Sequence, residues 1–508
     1  MLRIEDMIRR LRSSVSVVDI VYSIGLFLVY GATRLYRLTS MPIFTDEGIY
    51  IHWARVAWHD ASWRFISLTD GRQPLQTWGT IPFLKIFHND LLLGGRMFGV
   101  ASGLLSVIGI FIIFILLYNK KVAFLGTFLY ILTPYFLFYD RMAMADSSVN
   151  AACIWIFLLS ILLIRTRRID VAFVFGLLGG LFLLAKSSVR LFIGTSIFAP
   201  LLIWSNKNIR KWILESVNFL ILFCGGTLLA YIIYNIQRLS PYLHFVEQKN
   251  ATFVMTFSEF FKSPFSLVAG NLRTMPLYVL QESGWLLGVT ALCGLLIMLK
   301  KNTKQAWYIL VWILAPFIAI AFFSRVLFPR YLIFLGSFLV ILSGQLIASL
   351  NKKYMIGAVI LILCASFVYA DYAILFNYTK LPFPEIDRGQ YVEGGATGYG
   401  AKEIVAYVRS QSVQKPAIII AEGNFGMSGD VLDVFVHDTD HISIDGVWPL
   451  NIGSILAHKK DIADHSIYVV TAYYKDIPPE WPVHLIQTYT KPGGKTQLML
   501  LQVDPKQI

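Results

Sequence analysis

Runs of roughly 16–24 apolar residues recur along this chain, and no other feature restricts its fold as much. They fall near residues 16–36, 92–117, 122–139, 147–164, 170–186, 189–204, 213–236, 284–299, 305–323, 331–350 and 354–376, about eleven spans in all. The chain has 508 residues, 56% of them hydrophobic and only 15% charged. That is too little polar surface for a soluble protein of this length. The predicted fold class is therefore a polytopic α-helical membrane protein. The formal charge of +13 has no nucleic-acid meaning here, because the cations sit mostly in short loops between apolar runs. Cys153, Cys224, Cys293 and Cys364 each lie inside an apolar run without metal-ligand spacing, and read as small buried hydrophobes.

The charges between the spans alternate in sign content. Lys120 and Lys121, Arg165, Arg167 and Arg168, Lys207, Arg210 and Lys211, Lys300, Lys301 and Lys304, and Lys352 and Lys353 fall in every second loop, with very few acids. The positive-inside rule places these loops in the cytoplasm. The basic N-terminus, with Arg3, Arg9, Arg10 and Arg12, joins them, and the apolar run after it reads as a retained first span rather than a signal peptide. An odd number of spans then puts the C-terminus outside. Three larger pieces lie on that outer side: a loop at 37–91, a loop at 237–283 and a tail at 380–508. Residues 1–379 thus read as the membrane domain. The tail reads as a small extracytoplasmic α/β domain. It opens on a glycine-rich linker (Gly389, Gly394, Gly395, Gly398, Gly400), followed by strand-like runs at 417–421, 467–471 and 498–503 and a helix-like run at 401–410.

Ionisable residues gather at the outer ends of the spans. Asp46, Glu47, Asp140, Arg141, Asp146, Lys186, Arg190, Glu282, Arg325 and Arg330 bring both signs to one depth, where the cytoplasmic loops bring only cations. A charge at membrane depth costs about 2.5–3.5 kcal/mol on insertion scales and usually serves a site. The pattern predicts a polar cavity open to the outer face, with cations for an anionic ligand and carboxylates for chemistry. Structural ion pairs and snorkelling side chains are the competing reading. In the first outer loop, Ile49, Trp53, Val56 and Ala57 share one helical face and His52, Arg55 and His59 another. That pattern predicts a helix lying in the interface, with a second after Pro74 through Leu75, Trp78, Ile81 and Leu84.

Several short segments, in order, resemble one family. They are Met41-Pro-Ile-Phe-Thr-Asp46-Glu47, Gly71-Arg72-Gln73-Pro74-Leu75, Gly95-Arg96-Met97, Arg141-Met-Ala-Met-Ala-Asp146, Leu184-Ala-Lys186 and Pro329-Arg330-Tyr331. Together they resemble the GT-C membrane glycosyltransferases, in the branch of dolichyl-phosphate-mannose–protein mannosyltransferases and lipid A aminoarabinose transferases. The resemblance covers about residues 1–350. It implies transfer of a sugar from a polyprenyl-phosphate donor lipid, with inversion, to a protein, lipid or glycan acceptor at the outer face of the cell membrane. Asp46 and Glu47 take the catalytic positions. Arg72, Lys186, Arg330 and Arg141 take the donor-phosphate positions, and Asp146, Arg96 and Glu282 support them. Gly71 stands where the aminoarabinose enzyme has a metal-binding acid and Gln73 replaces a proline. No metal ligand is assigned, and a divalent metal stays open as a cofactor. A transporter or flippase, and a ligase of lipid-linked glycans, are the alternatives from other classes.

Three motifs are set aside. Gly494-Lys495-Thr496 lacks the earlier glycine of a phosphate loop. Asp438-Thr-Asp440 lies in the outer tail, away from cytosolic nucleotides, and reads as a solvated loop. Asn250-Ala-Thr252 and Asn377-Tyr-Thr379 are formal glycosylation sequons. The topology has a direct check. A periplasmically active reporter fused after residue 507 should be active, and the same reporter fused after Asn302 should be silent. The reverse pattern would invert the orientation.

Overall fold

The computed structural model describes residues 16–423 and 428–507. Arg3, Arg9, Arg10 and Arg12 lie outside the described residues. The membrane half runs α1 (Val17–Leu35), α2 (Thr45–His59), α3 (Leu75–Ile86), α4 (Leu91–Leu117), α5 (Lys120–Leu132), α6 (Pro134–Tyr139), α7 (Asp146–Thr166), α8 (Ile169–Leu183), α9 (Val189–Thr195) and α10 (Ile209–Tyr234). It continues with α11 (His244–Phe253), α12 (Phe257–Lys262), α13 (Val268–Ser283), α14 (Trp285–Lys301), α15 (Thr303–Phe323), α16 (Ile333–Ser349) and α17 (Lys353–Phe376).

Each expected span coincides with helix, but they are not equal. Among the described residues, seven helices are long and apolar enough to cross a membrane alone. The others are shorter or broken for local reasons. Thr133 precedes Pro134, which disfavours helical backbone, so α5 and α6 divide there. Gly284, at φ +90°, divides α13 from α14, and the two meet at 107°. The chain is a multi-pass membrane protein. Cys153 and Cys364 are buried or half-buried, whereas Cys224 and Cys293 are exposed on helix surfaces, so the expectation of burial fails for those two. Apolar helix surface is lipid-facing in such a protein, and a free cysteine suits it as well as a core does.

Helix ends are capped by the residues that the sequence supplies. Ser16 and Asp19 form a capping box on α1. Asp90 accepts the Leu93 amide at 2.9 Å, and Asn119 accepts the Val122 amide at 3.0 Å. At the other end of α1, Arg141 donates to the carbonyls of Thr33, Arg34 and Tyr36 at 2.9 Å and of Arg37 at 3.1 Å. These are carbonyls a helix terminus leaves without partners. Arg34 pairs with Asp140 at 3.1 Å, both fully buried. A Cβ on Gly103 would stand 2.3 Å from the Asp140 carboxyl carbon, so only glycine lets α4 approach this pair.

The C-terminal unit comprises α18 (Ala401–Ser412), β1 (Ala417–Glu422), α19 (Ser428–Asp433), β2 (Ile442–Val447), β3 (Ser466–Thr471), β4 (Val483–Thr490) and β5 (Gln497–Val503). The sheet order is β2-β1-β3-β5-β4, with the first three strands parallel and the last two pairings antiparallel. The strand-like runs at 417–421, 467–471 and 498–503 lie in β1, β3 and β5, which are largely buried. β2 and β4 carry half-exposed, polar sequences and gave no such signal. Gly494-Lys495-Thr496 lies in the turn between β4 and β5, not at a helix start.

The expected linker after residue 380 is no linker. Leu381, Phe383, Tyr391 and Val392 join the core of the membrane half. The outer-loop helices in turn share a core with the sheet unit, in which Ile43, Ile51, Ala54, Ile81 and Leu84 pack with Ile404, Val405, Val431 and Leu432. Arg55 and His52 on α2 meet Asp433, with His52 Nδ1 2.8 Å away. Asp438 pairs with Arg55 across the two units while most of its side chain stays exposed, and Asp440 pairs with Arg409 at 2.8 Å inside the C-terminal unit.

One buried pair fixes the start of α2. Glu47 and Arg96 are both fully buried, 2.8 Å apart. Removing one partner of such a pair costs about 3–5 kcal/mol, because the other charge stays buried alone. Arg96→Met should therefore lower the thermal unfolding midpoint of the detergent-solubilised protein markedly. Arg168→Met removes only an exposed pair worth about 0–1 kcal/mol and should leave the midpoint nearly unchanged.

Candidate active site

Asp46 is the second residue of α2, and three sets of bonds hold it. Behind it, Glu47 accepts from Arg96 Nε at 2.9 Å and Nη2 at 2.8 Å, from the Phe44 amide at 2.9 Å and from the Ala143 amide at 2.8 Å. In front, residues 43–45 lie beside residues 396–398. The Thr45 amide donates to the Ala396 carbonyl at 2.9 Å, and the Gly398 amide to the Ile43 carbonyl at 2.7 Å. Lys491 of the sheet unit holds that second segment through the carbonyls of Gly394 and Gly395, at 3.2 and 3.0 Å. The C-terminal unit therefore helps to position Asp46.

The Asp46 carboxylate faces two arginines. Arg72 Nη2 lies 2.9 Å from Oδ1, and Arg330 Nη2 lies 3.2 Å from Oδ2. Arg72 comes from the turn after Gly71, where φ is +67°. It is held by Asp70 at 2.9 Å and lies over the Tyr50 ring at 5.2 Å. Arg330 lies between the rings of Phe44, Phe328 and Tyr331 and donates to the Tyr391 hydroxyl at 3.3 Å. Lys186 stands 3.0 Å from Asp146 and 4.2 Å above the Tyr331 ring. Lys249 reaches Asp70 at 2.7 Å. The cluster thus carries four cations (Arg72, Lys186, Lys249, Arg330) against three carboxylates (Asp46, Asp70, Asp146), a net positive field at one spot.

Partial burial alone would raise the Asp46 carboxyl above its usual value of 3.8. Arg72 and Arg330 outweigh that effect and hold it down to about 2. Burial would likewise lower Lys186, but Asp146 keeps it above the ordinary lysine range. The site is charged throughout the physiological range and keeps one-fifth of the Asp46 side chain open. A separate cleft of about 280 Å³, lined by Thr39–Ile43, Trp58, His88 and Tyr399, contains none of these charges.

Several predicted site residues lie here and others do not. Asp46, Arg72, Lys186, Arg330 and Asp146 converge from the first outer loop, the α8–α9 turn, the start of α7 and the segment before α16. Glu47, grouped with Asp46 as catalytic, has all its acceptor sites taken and no exposed surface, and holds the start of α2 beside Asp46. Arg96 belongs to the same post. Arg141, expected at the donor phosphate, spends its guanidinium on the end of α1. Glu282 is fully buried beside Asp387, away from the direct contacts of Asp46. Arg325 pairs with Glu259 in the outer loop, and Arg190 lies over the Tyr234 ring at 5.0 Å.

Sequence reasoning missed Asp70, Lys249, Asp387 and Tyr391. Asp70 adjoins a motif already noted, so adjacency offered a signal. Asp387 and Tyr391 lie in the stretch whose glycines suggested a linker. The residues do not fit the metal site implied by the aminoarabinose branch. A Cβ at Gly71 would lie 2.3 Å from the Phe245 carbonyl oxygen, and φ there is positive, so position 71 has no room for an acid.

The titration of Asp46 is measurable. Its folded pKa is depressed, so its contribution to stability is complete above about pH 4 and is lost as pH falls toward about 2. Infrared difference titration against Asp46→Asn should show the carboxylate persisting below pH 3. Arg72→Gln should shift its protonation upward. An unshifted titration in that variant would contradict the pairing.

Comparison with known proteins agrees with this architecture. The family model for dolichyl-phosphate-mannose-protein mannosyltransferases matches residues 72–234. No curated protein sequence matches the chain. Among solved structures, ArnT from Cupriavidus metallidurans bound to undecaprenyl phosphate superposes with a TM-score of 0.59 at 12% identity, over 95% of this chain and 97% of that one. Its apo form gives 0.58 at 14% identity, over 96% and 98%. The oligosaccharyltransferase AglB from Archaeoglobus fulgidus, in complex with an inhibitory peptide and a dolichol-phosphate, gives 0.52 at 11% identity, over 90% and 69%. The chain has the fold of the GT-C membrane glycosyltransferases and carries within it a segment matching the dolichyl-phosphate-mannose-protein mannosyltransferase family.

Proposed function

We propose that this protein transfers a single sugar, hexose or pentose, from a polyprenyl-phosphate donor to an acceptor at the outer face of the membrane, with inversion at the anomeric carbon. The observation that carries the reading is one carboxylate, Asp46, held between Arg72 and Arg330, with Lys186 and Lys249 adding positive charge. The ligands of the similar structures, undecaprenyl phosphate on ArnT and a dolichol-phosphate on AglB, support a lipid phosphate as the anion.

The chemistry follows from the charges. The donor is a phosphodiester whose sugar C–O bond breaks as the acceptor oxygen or nitrogen attacks the anomeric carbon from the opposite side. The bonding pair leaves with the phosphate, which becomes a monoester and gains negative charge. Arg72, Arg330 and Lys186 stabilise that charge as it develops. The acceptor proton passes to Asp46. With its value held down to about 2, Asp46 is a poor base while both arginines face it. A phosphate that draws those guanidiniums onto itself leaves Asp46 less compensated and more basic. In this reading the donor prepares the base, and an acceptor is deprotonated only when a donor is present.

Asp46→Asn should lower transfer about 10²–10⁴-fold, the range of a positioned general base, while donor binding persists. Transfer from radiolabelled polyprenyl-phosphate sugar in proteoliposomes reads this directly. Wild-type rates in the Asn variant would remove the base assignment. Substrate flux across the proteoliposome membrane without glycoside formation would point to a transporter instead.

A further inference from the structure

Behind Arg330, away from the Asp46 carboxylate, two acids are buried together. Glu282 is the penultimate residue of α13, beside the Gly284 break, and Asp387 lies in the segment after α17. Glu282 is fully buried and Asp387 is 1% exposed. Neither forms an ion pair with Lys, Arg or His among the described contacts. Both Glu282 oxygens and Asp387 Oδ1 lack an ordinary donor, and the Tyr139 hydroxyl donates to Asp387 Oδ2. Tyr278 and Gln281 of α13 line one hollow with Phe383 and Ile386, so the end of α13 and the segment carrying Asp387 lie side by side and the two buried carboxyls act directly on each other. Two carboxylates cannot bond face to face. The arrangement is stable only if a proton lies between them, as in other close carboxyl pairs.

The pair sits within the field of the active site. The groups facing it from neighbouring elements are Tyr135 and Tyr139 of α6, Tyr278 of α13, Asp146 of α7, Tyr391 and Arg330. Arg330, which donates to Asp46, also donates to Tyr391, whose ring meets Tyr139 at 6.3 Å. Arg330 is the one cation in this list. Its positive charge is the compensation that the pair and Asp46 share.

We propose that the Glu282–Asp387 pair is a proton store coupled to the phosphate site: it holds one proton when the site is empty and takes up a second when a polyprenyl phosphate occupies Arg330. The inference rests on the donor reading above. When the lipid phosphate claims Arg330, the pair loses its compensating charge while gaining a nearby anion. A second proton then enters from solvent, and no covalent bond of the lipid changes. Burial already pushes Asp387 above the usual carboxylate range, in the direction this requires. The product monoester carries more negative charge than the donor diester. The pair would therefore hold its second proton most firmly after transfer and return it to solvent as the spent lipid leaves.

Calorimetry of the full-length protein tests this. Undecaprenyl phosphate is titrated into protein at pH 7.5 in two buffers of different ionisation enthalpy. A phosphomonoester's second ionisation lies near about 6, so the free lipid is almost fully ionised there. Wild type should take up roughly half to one proton more per bound lipid than Glu282→Gln/Asp387→Asn, which is isosteric and cannot titrate. Asp387→Asn alone leaves one neutral acid and should behave as the double variant does, which guards against a double variant that fails to fold. Binding with equal proton uptake in wild type and variants overturns the proposal. Absence of any lipid binding by the wild type overturns the donor reading and this inference with it.

Discussion

The Glu47–Arg96 pair is the interaction on which the site depends. Glu47 satisfies a distant arginine, the distant Ala143 amide and the nearby Phe44 amide. A charge in that position is costly unless all its acceptor sites are used, and here they are. The result is a rigid start to α2, which leaves the adjacent Asp46 one direction to face. The acidic pair in the sequence is therefore two jobs side by side: one carboxylate that cannot move and one that cannot avoid the cavity.

Around that post the protein assembles charge from distant segments. Arg72 comes from the turn after Gly71, Asp146 and Lys186 from the ends of α7 and α8, and Arg330 from the segment before α16, and aromatic faces from Tyr50, Tyr331 and Phe328 hold the cations. The cations are pre-placed, so the cost of gathering them is met in folding rather than on binding. They pair with and neutralise Asp46. The same contacts hold the Asp46 carboxyl well below its usual range.

Much of this was legible in the sequence. The apolar runs place the helices because a backbone in hydrocarbon has few other options. The periodicity of Ile49, Trp53 and Ala57 places α2, and those residues are buried. The roles within the charge cluster were less legible. Arg141 and Arg330 both lie at the outer end of a span, but one caps a helix and the other faces Asp46, which depends on packing that no local pattern encodes. The tail misled for a related reason. Its glycines suggested a flexible entry, whereas Gly394 and Gly398 permit close backbone approaches, and the segment between Leu381 and Thr397 closes the site. Half-exposed β2 and β4 carried too weak an alternation to separate from loop.

How this site works depends on where a lipid phosphate binds and what it displaces. An experimental structure with polyprenyl phosphate bound decides this. The account expects the phosphate on Arg72, Arg330 and Lys186, with at least one arginine drawn off Asp46 and the carboxylate free to face an acceptor. A phosphate bound elsewhere, with Asp46 still clasped by both arginines, would contradict it.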